Sequence, residues 1–281
     1  MEGSVDTVAI GICQIKQGYD HEENLSKALR MIDEAARKGA AIAVLPEMFF
    51  TPYEPFSIRS SAPVAEKAVD FLKQRAKRNG ITVIAGSMPW EGDGKRYFNR
   101  AFVFDCAGDI VYSHDKIHLF DCTPPGGPQV RESDVIVPGN SLGAFETPWG
   151  KASVIVCYDI RFTPVAQLLA DHGVRMLFVP AAFSTATGKA HWEMLVRCRA
   201  VEMQAYVIGV QPAHNPSLKY VPYGHSMIAS PWGEVLLDAG QEETVELVHI
   251  DLQRVNSIRS TFPLLAHRRK DLYETVWKVR S

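Results

Sequence analysis

The sequence has no cysteine pairs and no long apolar run, and each absence excludes a class of protein. The five cysteines are scattered along the chain without a Cys-x-x-Cys pair: Cys13, Cys106, Cys122, Cys157 and Cys198. An odd number of unpaired cysteines among 281 residues argues against a disulfide framework and against a zinc site. It favours a reducing compartment, so we expect a cytoplasmic protein. No stretch approaches the ~20 apolar residues of a membrane span, and the acidic N-terminus lacks a signal-peptide pattern.

Charge and glycine patterns argue against two further kinds of partner. The formal net charge is −2, and no basic face large enough to predict nucleic-acid binding is present. One short basic cluster, residues 267–270, is interpreted as a solvated helix end or an interface element. No glycine-rich phosphate loop follows any predicted strand, so a nucleotide cofactor has no support.

The predicted elements follow the same order in both halves of the chain. In the first half we predict strands at 8–13, 41–45 and 81–85, helices at 24–37 and 65–77, and a hairpin of 102–104 with 110–112. In the second half we predict strands at 152–156, 176–179 and 206–210, helices at 165–171 and 191–204, and a hairpin of 227–229 with 235–237. A last strand at 245–250 leads to a C-terminal helix.

This repeated β-α-β-α-β order with a hairpin predicts an α/β fold made of two similar sheets. Each sheet would carry its helices on one face, and the two sheets would pack together as a four-layer α-β-β-α sandwich. A single doubly wound sheet also explains the alternation of strands and helices, but it does not account for the hairpins or for the repeated order. No linker divides the halves, so residues 1–281 are predicted to form a single domain. The tail at about 266–281 is expected at an interface or on the surface.

Cys157 stands at the end of an apolar, β-branched run that predicts a buried strand. Thr163 and Pro164 follow as a helix start, so the thiol lies near a strand-to-helix junction. Such a junction can lift a nucleophile out of a sheet. A cysteine with apolar neighbours is also a common buried hydrophobic residue, and its segment alone does not decide between the two.

Two further strand or hairpin ends carry a charged residue, Glu47 and Lys116. Together with Cys157 they supply a carboxylate, an ammonium group and a thiol. Covalent amide hydrolysis uses these three groups as general base, oxyanion stabiliser and nucleophile. The alternative is that Glu47 and Lys116 are solvated surface residues that never meet the thiol.

Three segments resemble the signature motifs of the nitrilase superfamily of carbon–nitrogen hydrolases: Leu45-Pro46-Glu47, His114 to Asp121, and Cys157 to Phe162. Short segments within 182–200 and 223–233 match as well, and the likeness extends from about residue 8 to Tyr273. The resemblance implies the α-β-β-α sandwich, a homodimer or higher homo-oligomer, and no metal or organic cofactor. The stretch Ser184-Thr185-Ala186 and Cys122 depart from the family pattern near the expected pocket, which leaves the substrate open.

The resemblance also assigns roles to residues of this chain. It implies Glu47 as general base, Lys116 as oxyanion stabiliser and Cys157 as nucleophile, with the Tyr158 backbone N–H as second oxyanion donor. Glu132 matches a second carboxylate of the family that would orient Lys116. The alternative for Glu132 is an ordinary loop carboxylate.

Within the superfamily the chain is most similar to the ω-amidase and deaminated-glutathione amidase branch, which implies a small-molecule amide substrate such as 2-oxoglutaramate. Arg161 is the leading candidate partner for the far carboxylate of such a substrate, although it could equally anchor a structural salt bridge. Phe49, Tyr53 and Thr187 are candidates for the pocket wall.

Other functions share parts of this pattern. Deaminated-glutathione amidase, N-carbamoyl amide hydrolase and nitrilase would use the same Glu-Lys-Cys triad with a different pocket. A non-catalytic binding or scaffold protein would have a damaged triad, whereas this one is whole. A cysteine peptidase would need a histidine beside the thiol, and the positions of His114 and His118 leave that possibility open.

Overall fold

The computed structural model describes residues 6–92, 94, 96–127 and 129–278. The strands are β1 (Thr7–Gln14), β2 (Ile42–Val44), β3 (Thr82–Ile84), β4 (Met88–Glu91), β5 (Tyr97–Phe104), β6 (Ile110–Asp115), β7 (Asp121–Cys122), β8 (Val130–Arg131), β9 (Ile136–Val137), β10 (Phe145–Thr147), β11 (Gly150–Val154), β12 (Met176–Pro180), β13 (Tyr206–Val210), β14 (Met227–Ala229), β15 (Val235–Asp238) and β16 (Thr244–Asp251). The helices are α1 (His21–Arg37), α2 (Pro55–Asn79), α3 (Thr163–Asp171), α4 (Thr185–Met203) and α5 (Gln253–Thr261).

The strands form two main sheets of similar plan. The first has the order β16-β1-β2-β3-β5-β4, with β6 and β9 also paired to β5, and the second has the order β10-β11-β12-β13-β14-β15. Three parallel strands lie at the heart of each sheet, β1-β2-β3 in the first and β11-β12-β13 in the second. The repeat seen in the sequence is therefore a repeat of sheet topology. The pair β7-β8 forms a separate small ribbon.

The two sheets face each other across one apolar core. Ile10 and Ile12 of the first sheet belong to the same buried cluster as Phe178 and Ile208 of the second. The opposite face of the first sheet packs on α1 and α2, and that of the second packs on α3 and α4. These four layers confirm the predicted α-β-β-α sandwich, and the single doubly wound sheet is wrong.

A glycine in each sheet lets a helix approach closely. A Cβ on Gly11 of β1 would lie 2.7 Å from the Cβ of Ala35 in α1. A Cβ on Gly209 of β13 would lie 2.5 Å from the indole ring of Trp192 in α4. Both distances are too short for side-chain carbon, so each sheet needs its glycine beneath the helix.

Two helices begin well before their predicted first residues. Helix α2 starts at Pro55 rather than at residue 65 and continues through Pro63, so the apolar pattern marked only its second part. Helix α4 starts at Thr185 rather than at 191, because the Ser184 side chain caps it by accepting a hydrogen bond from the Thr187 amide. The longer α4 carries Thr187 and His191 on one helix.

The described part of the C-terminal tail lies on the surface against α3. Arg268 and Lys270 form ion pairs with Asp171 of that helix, and the Thr275 hydroxyl donates to the Gln167 side chain. The basic cluster therefore serves as a set of surface ion pairs in this structure. Residues 279–281 of the predicted tail lie outside the described residues, and the division of the chain into one domain stays a prediction. In the described ranges, no helix has the length and apolar character needed to cross a membrane.

Candidate active site

Glu47 lies in a tight turn just beyond β2. The turn packs on Gly86, where a Cβ would lie 1.9 Å from the Pro46 carbonyl oxygen and where φ is +59°. Met48 adopts a φ of 51°, and its amide donates to the Ser87 hydroxyl at 3.1 Å. The local chain path thus places the Glu47 carboxylate inside the protein with no exposed surface.

Lys116 follows the last residue of β6 and is also fully buried. Its amide donates to the Asn99 carbonyl oxygen at 3.0 Å, which extends the β5–β6 pairing by one residue. Its Nζ donates to Glu47 Oε1 at 3.0 Å and to the Tyr53 hydroxyl at 3.1 Å, and it lies 2.9 Å from Glu132 Oε2. The ammonium group therefore lies between two buried carboxylates.

Glu132 completes this group from the opening of a short 3-10 helix, Glu132–Asp134, and is 2% exposed. Its Oε2 accepts from the Phe120 amide at 2.7 Å. The Asn99 side-chain amide, buried on β5, donates to Glu47 Oε1 at 2.8 Å and to Glu132 Oε1 at 3.3 Å. Glu132 is thus a buried carboxylate in contact with Lys116 rather than a solvent-exposed one.

Cys157 opens the 3-10 helix Cys157–Arg161, which connects β11 to α3. Its φ is 48°, in the left-handed region that costs a non-glycine residue about 1–3 kcal/mol. The side chain is 8% exposed. Glu47 Oε2 is buried and accepts no well-formed hydrogen bond from a described residue, while the thiol is near enough to interact with this carboxylate. The sequence-predicted Glu47, Lys116, Cys157 and Glu132 therefore lie in one cluster.

Asp159 joins the cysteine segment to the lysine segment. This fully buried carboxylate accepts from the Val156 amide at 3.1 Å and from the His118 amide at 2.9 Å. It also bonds His118 Nδ1 at 2.8 Å and His114 Nε2 at 3.2 Å. Although burial alone would raise the pKa of Asp159, the two histidine contacts hold it well below its usual range. Both histidines thus serve Asp159, which argues against the histidine-paired thiol of a cysteine peptidase.

Burial and neighbouring charges shift the pKa values of three groups of the cluster. Burial, reinforced by the Glu47 carboxylate, raises the pKa of the Cys157 thiol well above its usual value. Burial also raises the pKa of Glu47 despite the opposing effect of Lys116. Burial would lower the pKa of Lys116, but Glu132 and Glu47 together raise it well above its usual value. At neutral pH the thiol is therefore protonated and the ammonium group is charged.

A small cavity opens beside the thiol. Its lining residues are Tyr53, Phe120, Cys157, Tyr158, Arg161, Ala182, Phe183, Thr187 and Tyr220. The structure thus brings four of the five predicted pocket residues to the thiol. Phe49 is the exception: its ring is fully buried under α1 and α2, packed edge-on against Phe50 at 5.0 Å, and the expectation that it forms the pocket wall is corrected.

Arg161 contributes the cation of the cavity wall. Its guanidinium lies 4.8 Å from the centre of the Phe183 ring and 5.7 Å from that of the Tyr158 ring. Its NH1 bonds His191 Nδ1 at 3.2 Å, and its Nε is buried without a hydrogen-bond partner in the described residues. No Asp or Glu carboxylate in the described ranges pairs with Arg161, so the alternative of a structural salt bridge finds no partner there.

Sequence reasoning missed four residues that shape the site: Asn99, Phe120, Asp159 and Tyr220. Asn99 and Asp159 are polar residues within buried segments, and this was the signal that could have identified them. Phe120 lies inside the lysine motif. Tyr220 comes from a loop with no local pattern, yet its hydroxyl donates to the Ala182 carbonyl oxygen at 2.7 Å and its ring packs on Tyr53 at 5.2 Å.

The functional groups of the site are carboxylates, an ammonium group and a thiol. In the described part of the chain, no group of three or more His, Cys, Asp or Glu side chains is arranged to hold a metal ion. The Glu47, Lys116 and Cys157 contacts support the chemistry of a thiol flanked by a base and a fixed cation.

Comparisons with known proteins agree with this geometry. Residues 9–260 match the carbon-nitrogen hydrolase family model. Omega-amidase NIT2-A of Xenopus laevis is 45% identical over 252 residues, which cover 89% of this chain and 91% of that protein. Human omega-amidase NIT2 is 38% identical over 270 residues, covering 96% and 98%. The Caenorhabditis elegans NitFhit structure superposes with a TM-score of 0.90 at 30% identity, covering 97% of this chain and 67% of that one. Saccharomyces cerevisiae Nit3, a member of branch 10 of the nitrilase superfamily, gives 0.84 at 30% identity, covering 94% and 97%.

A four-layer sandwich with a buried Glu-Lys-Cys cluster at its sheet ends defines an enzyme of the nitrilase type. The chain belongs to the carbon-nitrogen hydrolase family, and the superfamily inferred from its motifs is confirmed.

Proposed function

We propose that this protein is an ω-amidase, which hydrolyses the terminal amide of a short 2-oxo dicarboxylic acid monoamide such as 2-oxoglutaramate to the acid and ammonia. The substrate class is inferred from Arg161, a cation that lines the cavity beside the Cys157 thiol. Arg161 has no carboxylate partner in the described residues. The relatives named omega-amidase support the reaction.

In the proposed first half-reaction, Cys157 Sγ forms a bond to the amide carbon while its proton passes to Glu47. The raised pKa of the thiol favours this coupled transfer over attack by a preformed thiolate. The carbonyl oxygen becomes an oxyanion, which the Lys116 ammonium and the Tyr158 backbone N–H stabilise. The C–N bond then breaks, Glu47 returns the proton to the leaving nitrogen, and ammonia departs from a thioester.

In the proposed second half-reaction, water attacks the thioester carbon and gives its proton to Glu47. The C–S bond breaks, the proton returns to sulfur, and the carboxylic acid leaves. Glu132 holds Lys116 through Oε2 at 2.9 Å, and Asn99 holds both carboxylates. These contacts support a positioning role for Glu132 and leave proton transfer to Glu47, the carboxylate that interacts with the thiol.

Replacing Cys157 by alanine tests the proposed function directly. We expect the wild-type protein to release ammonia from 2-oxoglutaramate and the Cys157→Ala variant to lose about 10³-fold or more of kcat, because the covalent route is removed. Ammonia release is measured by a coupled assay, and acid-quenched wild-type protein is examined by mass spectrometry for an acyl adduct on Cys157. Cys106→Ala, which alters an exposed cysteine, is the matched control. Full activity in the Cys157 variant would refute the mechanism.

The raised pKa of Glu47 predicts the acidic pH range in which activity is lost. A general base works only when deprotonated, so kcat/KM falls as pH drops through the raised Glu47 pKa, which lies above the usual 4.5. The thiol and Lys116 both titrate above their usual values, so no loss is expected from either group between neutrality and about pH 9. A pH profile of kcat/KM measures this, and an acid limb at or below the pKa of an ordinary glutamate would contradict it.

We further propose that the protein is a cytoplasmic homodimer or higher homo-oligomer of a single domain spanning residues 1–281. Support for a reducing compartment comes from the five cysteines, all of which are free thiols. Support for self-association comes from the large apolar side chains that α4 and the neighbouring turn expose, with Met194 59% and Trp232 56% accessible. Size-exclusion chromatography with light scattering measures the oligomeric state.

A further inference from the structure

His191 is the side chain that holds the cavity cation. Its Nδ1 lies 3.2 Å from Arg161 NH1, and an arginine has no acceptor, so the imidazole nitrogen accepts and the guanidinium donates. His191 lies on α4, one turn after Thr187, which lines the same cavity. Residues four apart lie on one helix face, so one stripe of α4 supplies both a wall of the cavity and the support of its cation.

The backbone that carries Arg161 is tied to the same helix. Arg199 of α4, 4% exposed, donates from Nε to the Ile160 carbonyl oxygen at 2.7 Å and from NH2 to the Arg161 carbonyl oxygen at 3.2 Å. The guanidinium of Arg161 also lies within cation–π distance of the Phe183 and Tyr158 rings. These contacts restrain the backbone and the side chain of Arg161, and the His191 hydrogen bond adds a directional contact at NH1.

We propose that His191 is a positioning residue, which fixes Arg161 so that its Nε side receives a substrate carboxylate and which thereby sets the preference for carboxylate-bearing amides. A guanidinium binds a carboxylate through two parallel N–H groups. His191 occupies NH1, which leaves the edge of Nε and NH2, and Nε is the buried donor that has no partner. A carboxylate on that edge would satisfy it. This proposal rests on the proposed function, because it takes Arg161 as the carboxylate site.

The test compares one charged and one neutral amide of the same chain length, 2-oxoglutaramate and pentanamide. In His191→Leu we expect the ratio of their kcat/KM values to fall about tenfold, through a higher KM for 2-oxoglutaramate with kcat within about threefold of wild type. His191→Asn, whose Oδ1 can accept where Nδ1 does, is expected to restore most of the ratio. His249→Leu, which alters an exposed histidine on β16, is the matched control.

A double-mutant cycle separates positioning from a purely structural role. In an Arg161→Met background, His191→Leu should leave the selectivity ratio unchanged, because there is no guanidinium left to position. Equal losses for both amides in His191→Leu, or an unchanged ratio, would overturn the proposal.

Failure of the proposed function and failure of the proposed role of His191 give different experimental results. If wild type releases no ammonia from 2-oxoglutaramate, the proposed function fails. The His191 variants are then compared by how strongly 2-oxoglutarate inhibits their turnover of pentanamide. His191→Leu then has to weaken that inhibition at least about fivefold. Absence of inhibition in wild type, or equal inhibition in both proteins, would overturn the role of His191.

Discussion

Replacing Lys116 by methionine will reduce kcat by about a thousandfold and will also destabilise the fold. The ammonium group is the proposed oxyanion stabiliser, and loss of one such donor costs about 10²–10³ in rate. It is also the cation between the buried Glu47 and Glu132 carboxylates. Without it, one of these carboxylates takes up a proton or stays as an unpaired buried charge, at a cost of about 3–5 kcal/mol in the free energy of unfolding.

Steady-state kinetics and urea unfolding of the Lys116→Met variant measure the two effects separately. Lys67→Met is the matched control, because Lys67 is exposed and forms a surface ion pair with Glu22. A folded Lys116→Met protein that retained more than about a tenth of the wild-type kcat would contradict the role of the ammonium group.

Replacing Asp159 by asparagine is expected to lower the free energy of unfolding by about 3 kcal/mol, since a buried charged acceptor with several donors is lost. An asparagine keeps the size of the side chain but cannot accept from both histidines and both backbone amides. Because Asp159 ties the residue before Cys157 to the residues after Lys116, kcat should also fall, by about tenfold or more. Asp109→Asn in the exposed β5–β6 turn is the matched control.

The pH dependence of the free energy of unfolding distinguishes loss of the Asp159 charge from simple loss of packing. The pKa of Asp159 is lowered in the folded protein, so the carboxylate contributes stability above its unfolded pKa and loses that contribution as pH falls. The stability difference between wild type and Asp159→Asn should therefore be constant near neutrality and shrink below about pH 4. A difference that does not change with pH would show that charge is not its cause.

The fold could be predicted because the apolar patterns of the sequence show the repeated order of strands and helices. The strand at Tyr206–Val210 and both hairpins lie where the sequence indicated, since buried β-branched runs and turn residues are local signals. The first turns of α4 were not predictable in this way, because the Ser184 cap begins a helix whose early residues line a cavity rather than follow an amphipathic stripe. The short strand β9 is held by long-range pairing with β5, which no local pattern encodes.

The cluster was predictable only in part. Glu47, Lys116 and Cys157 stand in recognisable motifs. Asn99 and Asp159 instead act mainly through partners 33 to 52 positions away in the chain, and no local sequence pattern encodes contacts over such distances. Phe49 was misassigned because it follows Glu47 closely in sequence. The positive φ of Met48 reverses the chain there, and the next side chain enters the helix-facing core.

The Lys116, Glu47 and Glu132 triangle has one positive and two negative charges, and the proposed chemistry leaves the net charge of the site with its substrate unchanged. As sulfur attacks, the proton neutralises Glu47 while the substrate oxygen becomes negative, so charge moves within the site and none has to enter from solvent. Dissolved ions therefore have little effect on the step in which sulfur bonds to the amide carbon, because salt mainly screens charges that are exposed to solvent. We expect turnover of a neutral amide to be nearly independent of ionic strength. The capture of a charged amide by the partly exposed Arg161 should weaken as salt is added, so ionic strength alone should change which amides the enzyme prefers.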